Sequence, residues 1–219
     1  MSGTFKMTKL DYYTAKSLIF ENIVATFVIA GIFSFMESSM YTLCFTAAWY
    51  AALSATNIFM IQDKNGLERL YASLSLDNKN IVSGRYLFCY IQYLIILGVT
   101  VIIGVGAMFL FGNTLQFMTL LTAVCESLLV FTAVTCIQIP ICLRLPYAKA
   151  RFWCVIVLLV VVALATYTAL NMSSIWDVDI SIKINQGPLS AICVAVSIAV
   201  LLISYPIAVG CYRTRMRTN

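Results

Sequence analysis

The sequence predicts an all-α integral membrane protein of six transmembrane helices with both termini in the cytoplasm, and three observations carry that expectation. Of 219 residues, 62% are hydrophobic and 11% charged, against roughly 45–50% and 25% in a soluble domain. Such a chain has too little polar surface to cover itself in water. Its apolar residues collect in six runs near the roughly 20 residues that a helix needs to cross a hydrocarbon core of about 30 Å. Those runs do not alternate as the short strands of a membrane barrel would.

Taken in order, the spans cover residues 17–36, 40–61, 86–111, 117–143, 152–172 and 188–212, and the whole chain reads as one transmembrane domain. Residues 1–16 are more polar and carry Lys6, Lys9 and Lys16 among Phe5, Met7, Leu10, Tyr12 and Tyr13. They read as a segment lying in the headgroup layer, with a disordered tail as the alternative. A secretory signal is not expected, because no short basic start leads directly into an apolar run and a small-residue cleavage site. All but one of the 14 Lys and Arg residues, the exception being Lys183, fall in the tails or in the second and fourth connections. The positive-inside rule therefore directs these pieces to the cytoplasm. It also accounts for the net charge of +5 without nucleic acid as a partner; membrane lipid is the expected polyanion.

The absence of histidine removes His-based hydrolases and proteases, histidine phosphatases, His-ligated haem and His-containing zinc sites. The eight cysteines all lie in apolar runs without CxxC-like spacing. They read as small apolar fillers, with no metal site and no disulfide framework.

The longest cytoplasmic piece is 62–85. Asn65 or Gly66 reads as the start of a short helix whose Leu67, Leu70, Tyr71 and Leu74 share one face, with Glu68, Arg69 and Ser73 on the other. Asp77 reads as an N-cap before a short turn over 78–82. Such a helix suits a groove on a partner protein, or rests on the lipid surface.

Within the spans, Glu126 is the one deeply placed carboxylate, roughly 14 Å from the outer end of its helix. Ionised there it costs about 2.5–3.5 kcal/mol, so it needs a partner, a wet cavity or a proton. Thr122 stands one turn away. In span two Thr46, Tyr50, Ser54 and Asn57 form a polar stripe beside a ladder of Ala47, Ala51 and Ala55. Glu126, Thr122, Tyr50, Ser54 and Asn57 are candidates for a translocation path, and equally for interhelical hydrogen bonding; the alanines suit close helix approach. Glu21 and Asn22 read as interfacial, and Pro140 and Pro206 as kinks.

The stretch GLERLYASLSLDNKNIVSGRYL over residues 66–87, together with Lys9-Leu10-Asp11, resembles small six-span ABC-2 type permeases. The matching positions are Glu68, Arg69, Leu70, Ser73, Leu74, Lys79, Ile81, Val82, Gly84, Arg85, Tyr86 and Leu87, while Ser75, Asp77 and Asn78 depart from the family pattern. The resemblance implies the membrane subunit of an exporter, working as a dimer with a second permease copy or paralogue. Each copy would dock a separate ATP-binding subunit through a coupling helix that includes Leu67, Glu68, Arg69, Leu70, Tyr71, Leu74, Asp77 and Lys79. The chain has no phosphate-binding loop of the G-x-x-x-x-G-K-[ST] type. It is therefore expected to bind no cofactor itself and to be no enzyme, with ATP and magnesium held by the partner. A multi-pass protein of the bacterial cytoplasmic membrane is implied, with peptide, antibiotic or other amphipathic cargo. The alternatives are a non-transporting immunity or sensor subunit and a substrate-binding component of a vitamin uptake system.

Overall fold

The computed structural model describes residues 3–36, 39–66, 77–111, 116–175 and 186–218. Among these the chain forms seven helices: α1 (Gly3–Met36), α2 (Met40–Ala55), α3 (Asn57–Asn65), α4 (Asn78–Leu110), α5 (Phe117–Arg144), α6 (Tyr147–Ile175) and α7 (Gln186–Thr218). Five segments are long and apolar enough to cross a membrane: α1, α2 with α3, α4, α5 and α7. The multi-pass all-α class is thereby established. α6 has 29 residues, about 43 Å of helix.

α1 and α4 run parallel and in contact along their lengths. Partners keep a near-constant offset of 76 residues, as in Thr4–Asn80 and Thr8–Gly84, and at the far end Phe35 meets Phe111 edge-on at 6.0 Å. Gly84 permits the approach, since a Cβ there would stand 2.8 Å from the Met7 Cβ. This arrangement corrects the expectation for residues 1–16. They do not form a separate segment in the headgroup layer or a disordered tail; from Gly3 they are the first turns of α1, with Met7, Thr8, Asp11 and Ala15 buried. No proline or glycine interrupts the helix between Gly3 and Gly31, so the backbone has no local reason to turn.

α2 and α3 form one span broken at Thr56, where the ladder tightens. The Thr56 N–H reaches the Leu53 carbonyl at 3.4 Å and the Phe59 N–H reaches that of Thr56 at 3.1 Å, i→i−3 bonds of the 3₁₀ kind. The alanine ladder is buried, with Ala48 and Ala52 beside it, where α2 packs on α4 and α5.

The tyrosines of α4 bond hydroxyls on other helices: Tyr90 with Thr132 at 2.9 Å, Tyr93 with Ser127 at 2.8 Å and Tyr86 with Ser204 at 2.6 Å. Phe131 stacks on Tyr93 with ring centroids 4.3 Å apart. α5 pairs most extensively with α7. Pro140 continues within α5, but it has no N–H for the carbonyl of Cys136, four residues back. Ser204 of α7 donates to that carbonyl at 2.6 Å, so a lost intrahelical bond becomes an interhelical one.

This substitution of donors is measurable. Ser204→Ala should destabilise the protein by about 1–3 kcal/mol, the cost of an unsatisfied buried acceptor. In a Pro140→Ala background the same change should cost less, because the restored backbone N–H again donates to the Cys136 carbonyl. Thermal unfolding of the two single variants and the double variant in detergent measures the difference, and strict additivity would contradict it.

Candidate functional site

α3 is the element on which the polar chemistry converges, and two of its neighbouring side chains pin it at one end of the bundle. Gly84 brings α1 against α4, and one turn further Asp11 meets Arg85 at 3.2 Å, with the two side chains 0% and 1% exposed. The Arg85 guanidinium also donates to Gln62 Oε1 of α3 at 2.7 Å and lies 5.4 Å from the centre of the Phe59 ring. Asp63, the next residue, accepts from the backbone N–H of Tyr147 at 2.8 Å and faces Arg215 at 3.6 Å. It thus places a carboxylate at the N-terminus of α6, where the helix dipole favours negative charge. Arg215 reaches on to the carbonyls of Cys142 and Leu145. Six helices, α1 and α3 to α7, are therefore linked through Gln62, Asp63 and their partners.

The two pins differ in strength. A fully buried ion pair costs about 3–5 kcal/mol to break by removing one partner. The Asp63–Arg215 pair, partly exposed and long, is worth at most about 1 kcal/mol. The first is a fixed joint. The second opens easily.

Beside this joint lies a cavity of about 240 Å³ lined by Asn22 of α1, Tyr50, Leu53 and Ser54 of α2, Thr56, Asn57 and Met60 at the break and in α3, Gln138 of α5, and Tyr147, Arg151, Cys154 and Val155 of α6. The Tyr50 hydroxyl donates to Asn22 Oδ1 at 3.0 Å, and Gln92 of α4 donates to Ser54 at 3.0 Å. Gln138 donates to the Cys154 carbonyl at 3.4 Å, while its Oε1 has no partner among the described residues. The lining contains one cation, Arg151, and no carboxylate. At this size the cavity takes a group smaller than a drug-sized ligand, which needs roughly 300 Å³ or more.

The candidate path residues fall into two places. Tyr50, Ser54 and Asn57 come together in this cavity, although Tyr50 and Ser54 also bond across helices. Thr46 returns its hydroxyl to the Leu43 carbonyl. Glu126 is half-buried in a separate groove of about 280 Å³ with Tyr41, Thr42, Phe45, Ala123 and Ser127. Thr122 shares a 2.9 Å hydrogen bond with Tyr41.

Of the candidate docking residues, Leu67, Glu68, Arg69, Leu70, Tyr71 and Leu74 lie outside the described residues. Gly66, at φ 59°, is the left-handed residue that ends α3, the conformation glycine adopts without strain; the helix expected to follow it lies outside the described residues. Asp77 stands at the N-cap of α4 with its carbonyl bonded to the N–H groups of Asn80 and Ile81, but its side chain makes no cap bond. Residues 78–82 are no separate turn; they open α4 itself. Lys79 is exposed there.

Sequence reasoning missed Asp11, Gln62, Asp63, Arg85 and Arg215 as a group. A pattern was available, because Asp11 and Arg85 both belong to the two stretches that carry the family resemblance. All eight cysteines are free, and Cys142 and Cys154 touch at 3.4 Å between Sγ atoms. Among the described residues no three Cys, Asp or Glu side chains gather as a metal site.

Removing one member of the fixed joint should be far worse than removing both. Asp11→Ala should destabilise the protein by about 3–5 kcal/mol by stranding the Arg85 charge. Asp11→Leu combined with Arg85→Met should unfold at a higher temperature than either single change, as read by thermal unfolding in detergent.

The family model described as ABC-2 family transporter protein matches residues 6–213. No curated protein and no solved structure matches the chain.

Proposed function

The chain belongs to the ABC-2 family of transporter proteins, and from that premise we propose that it is the permease subunit of an ATP-driven exporter, working as a dimer. The family is a membrane component partnered by an ATP-binding subunit. In our reading that subunit is a separate chain that holds ATP and magnesium, and it docks on Leu67, Glu68, Arg69, Leu70, Tyr71, Leu74, Asp77 and Lys79. α6 supplies a further span to make six, both termini face the cytoplasm, and the membrane is the bacterial cytoplasmic one. The cargo is amphipathic, a peptide or antibiotic among the candidates, with a polar end small enough for the α3 cavity.

The observation that supports this most is the position of α3. It lies between the break at Thr56 and the stop at Gly66, directly before the docking stretch. Closure of the ATP-binding subunits would push α3 through Gly66, and the helix would rotate about Thr56. Thr56, Asn57 and Met60 line the cavity, so that rotation reshapes it. The weak Asp63–Arg215 contact and the Arg85–Gln62 bond release, while the Asp11–Arg85 pair holds α1 to α4. This is a rigid-body switch between two packings. Glu126, in its own groove, serves a later stage of the path or a structural role.

The test separates docking from insertion. Leu70→Asp with Tyr71→Asp should abolish co-purification with the ATP-binding subunit while membrane insertion is kept. Asp63→Asn should preserve the complex but raise ATP hydrolysis that is not tied to cargo. Retention of the complex by the variant with both aspartates would overturn the assigned docking site.

A further inference from the structure

Cys142 of α5 and Cys154 of α6 bring their sulfurs to 3.4 Å, and among the described residues no other two thiols are in contact. We infer that this pair is a redox modification site, which closes to a disulfide on exposure to hydrogen peroxide and is reopened by a dithiol reductant.

The two helices fix the sulfurs against each other. Gln138 and Cys142 stand one turn apart on α5, and both meet Cys154: Gln138 donates to its carbonyl at 3.4 Å while Cys142 touches its sulfur. α5 ends at Arg144 and α6 begins at Tyr147, so only Leu145 and Pro146 separate the helices at this corner. Arg215 of α7 ties the same corner through the carbonyls of Cys142 and Leu145. A disulfide has an S–S length of about 2.05 Å, which leaves about 1.4 Å to close from the observed contact.

The second observation is access. Each sulfur belongs to a residue only 3% exposed, but Tyr147, Arg151, Cys154 and Val155 share one face of α6 that forms a wall of the 240 Å³ cavity. The described lining includes Cys154 and not Cys142, so a peroxide, which is much smaller than the cavity, meets Cys154 first. The Cys154 thiolate attacks one peroxide oxygen, the O–O bond breaks, and the hydroxide released takes the proton that Cys154 gave up. Cys142 then attacks the sulfenic sulfur, and the S–O bond breaks, the hydroxide leaving with the Cys142 proton as a second water. Two electrons pass from the sulfurs to the peroxide, and two thiols with one hydrogen peroxide give one disulfide and two waters.

In a reducing compartment the pair rests as thiols, so under the cytoplasmic placement proposed above it responds to oxidative load. The bond ties α6 to α5 along the cavity wall, in the corner where the Tyr147 N–H meets Asp63. Its effect on transport rests on the exporter reading; its formation does not.

The experiment therefore needs neither transport nor an ATP-binding subunit. The full chain in detergent is treated with hydrogen peroxide, unfolded, alkylated with a maleimide and analysed by mass spectrometry after digestion. Reduced protein takes a label on each of its eight cysteines. After peroxide two labels are lost, a crosslinked peptide joins Cys142 to Cys154, and dithiothreitol restores both labels. Cys142→Ser and Cys142→Ala should abolish the crosslink and leave Cys154 as a sulfenic acid that dimedone traps, whereas Cys154→Ser should give no dimedone adduct on Cys142. Cys44→Ser and Cys89→Ser, at buried thiols elsewhere in the bundle, should leave the crosslink unchanged. Full labelling of the native chain after peroxide, or crosslinks spread equally over other cysteine pairs, would overturn the inference. Dimedone on Cys142 in place of Cys154 would overturn the assigned order of attack.

Discussion

The buried Asp11–Arg85 pair governs the architecture around it. A guanidinium at 1% exposure is tolerable only if every direction it presents meets an acceptor or a polarisable surface. Asp11, Gln62 and the Phe59 ring supply part of that shell, and they arrive from α1 and α3. Arg85 thus obliges α1 to begin early enough to bring Asp11 alongside, and obliges the second span to continue past the break at Thr56. Gly84 completes the arrangement by removing the one side chain that would hold α1 away. The joint is costly to form and costly to break, so its value is in fixing position more than in net stability.

Elsewhere the bundle follows the rule that backbone and hydroxyl groups in lipid must be satisfied within the protein. Thr26, Ser54, Thr100, Ser127, Thr135 and Ser197 return their hydroxyls to carbonyls three or four residues back. Where proline removes a donor, the neighbouring helix supplies one, as Ser204 does for Cys136. The tyrosines of α4 combine large apolar contact with a hydroxyl that reaches its partner. They join α4 to α5 and α7 without any charge in the hydrocarbon.

The span pattern is legible in the sequence because it depends on run length alone: the fourth span expected at 117–143 is α5 over Phe117–Arg144. The polar stripe of span two is legible through its helical spacing, and Tyr50, Ser54 and Asn57 share a cavity accordingly. Its other walls are not legible, since Asn22, Gln138 and Arg151 are scattered over three helices and only tertiary packing brings them together. The start of α1 misleads for a related reason. Lys6, Lys9 and Asp11 make the segment look interfacial, and only contact with α4 shows that its opposite face is buried. That Gly66 ends α3 is not legible either, because glycine marks either side of a boundary; the sign of φ decides, and local sequence does not contain it.

Depth along the helices links the joint to the cavity. If Met36 marks one edge of a 30 Å core, about twenty residues of α1 cross it and the other edge falls near Ser17. Asp11 then lies about 9 Å beyond that edge, at the outer rim of the headgroup layer. Asn22, in the cavity wall, lies about 7 Å inside it. The charged joint and the Asp63 contacts therefore form a layer between the two levels, in which α3 is held by Arg85 through Gln62 and Phe59 and, more weakly, by the Asp63–Arg215 contact. In the switch proposed above, movement of α3 would open a route from water into the cavity along Asn57 and Thr56, not sideways into lipid, because α1 and α4 would stay joined through Arg85. In that proposal, separating a fixed joint from a labile one would let a push from outside the bilayer change access within it without loosening the bundle.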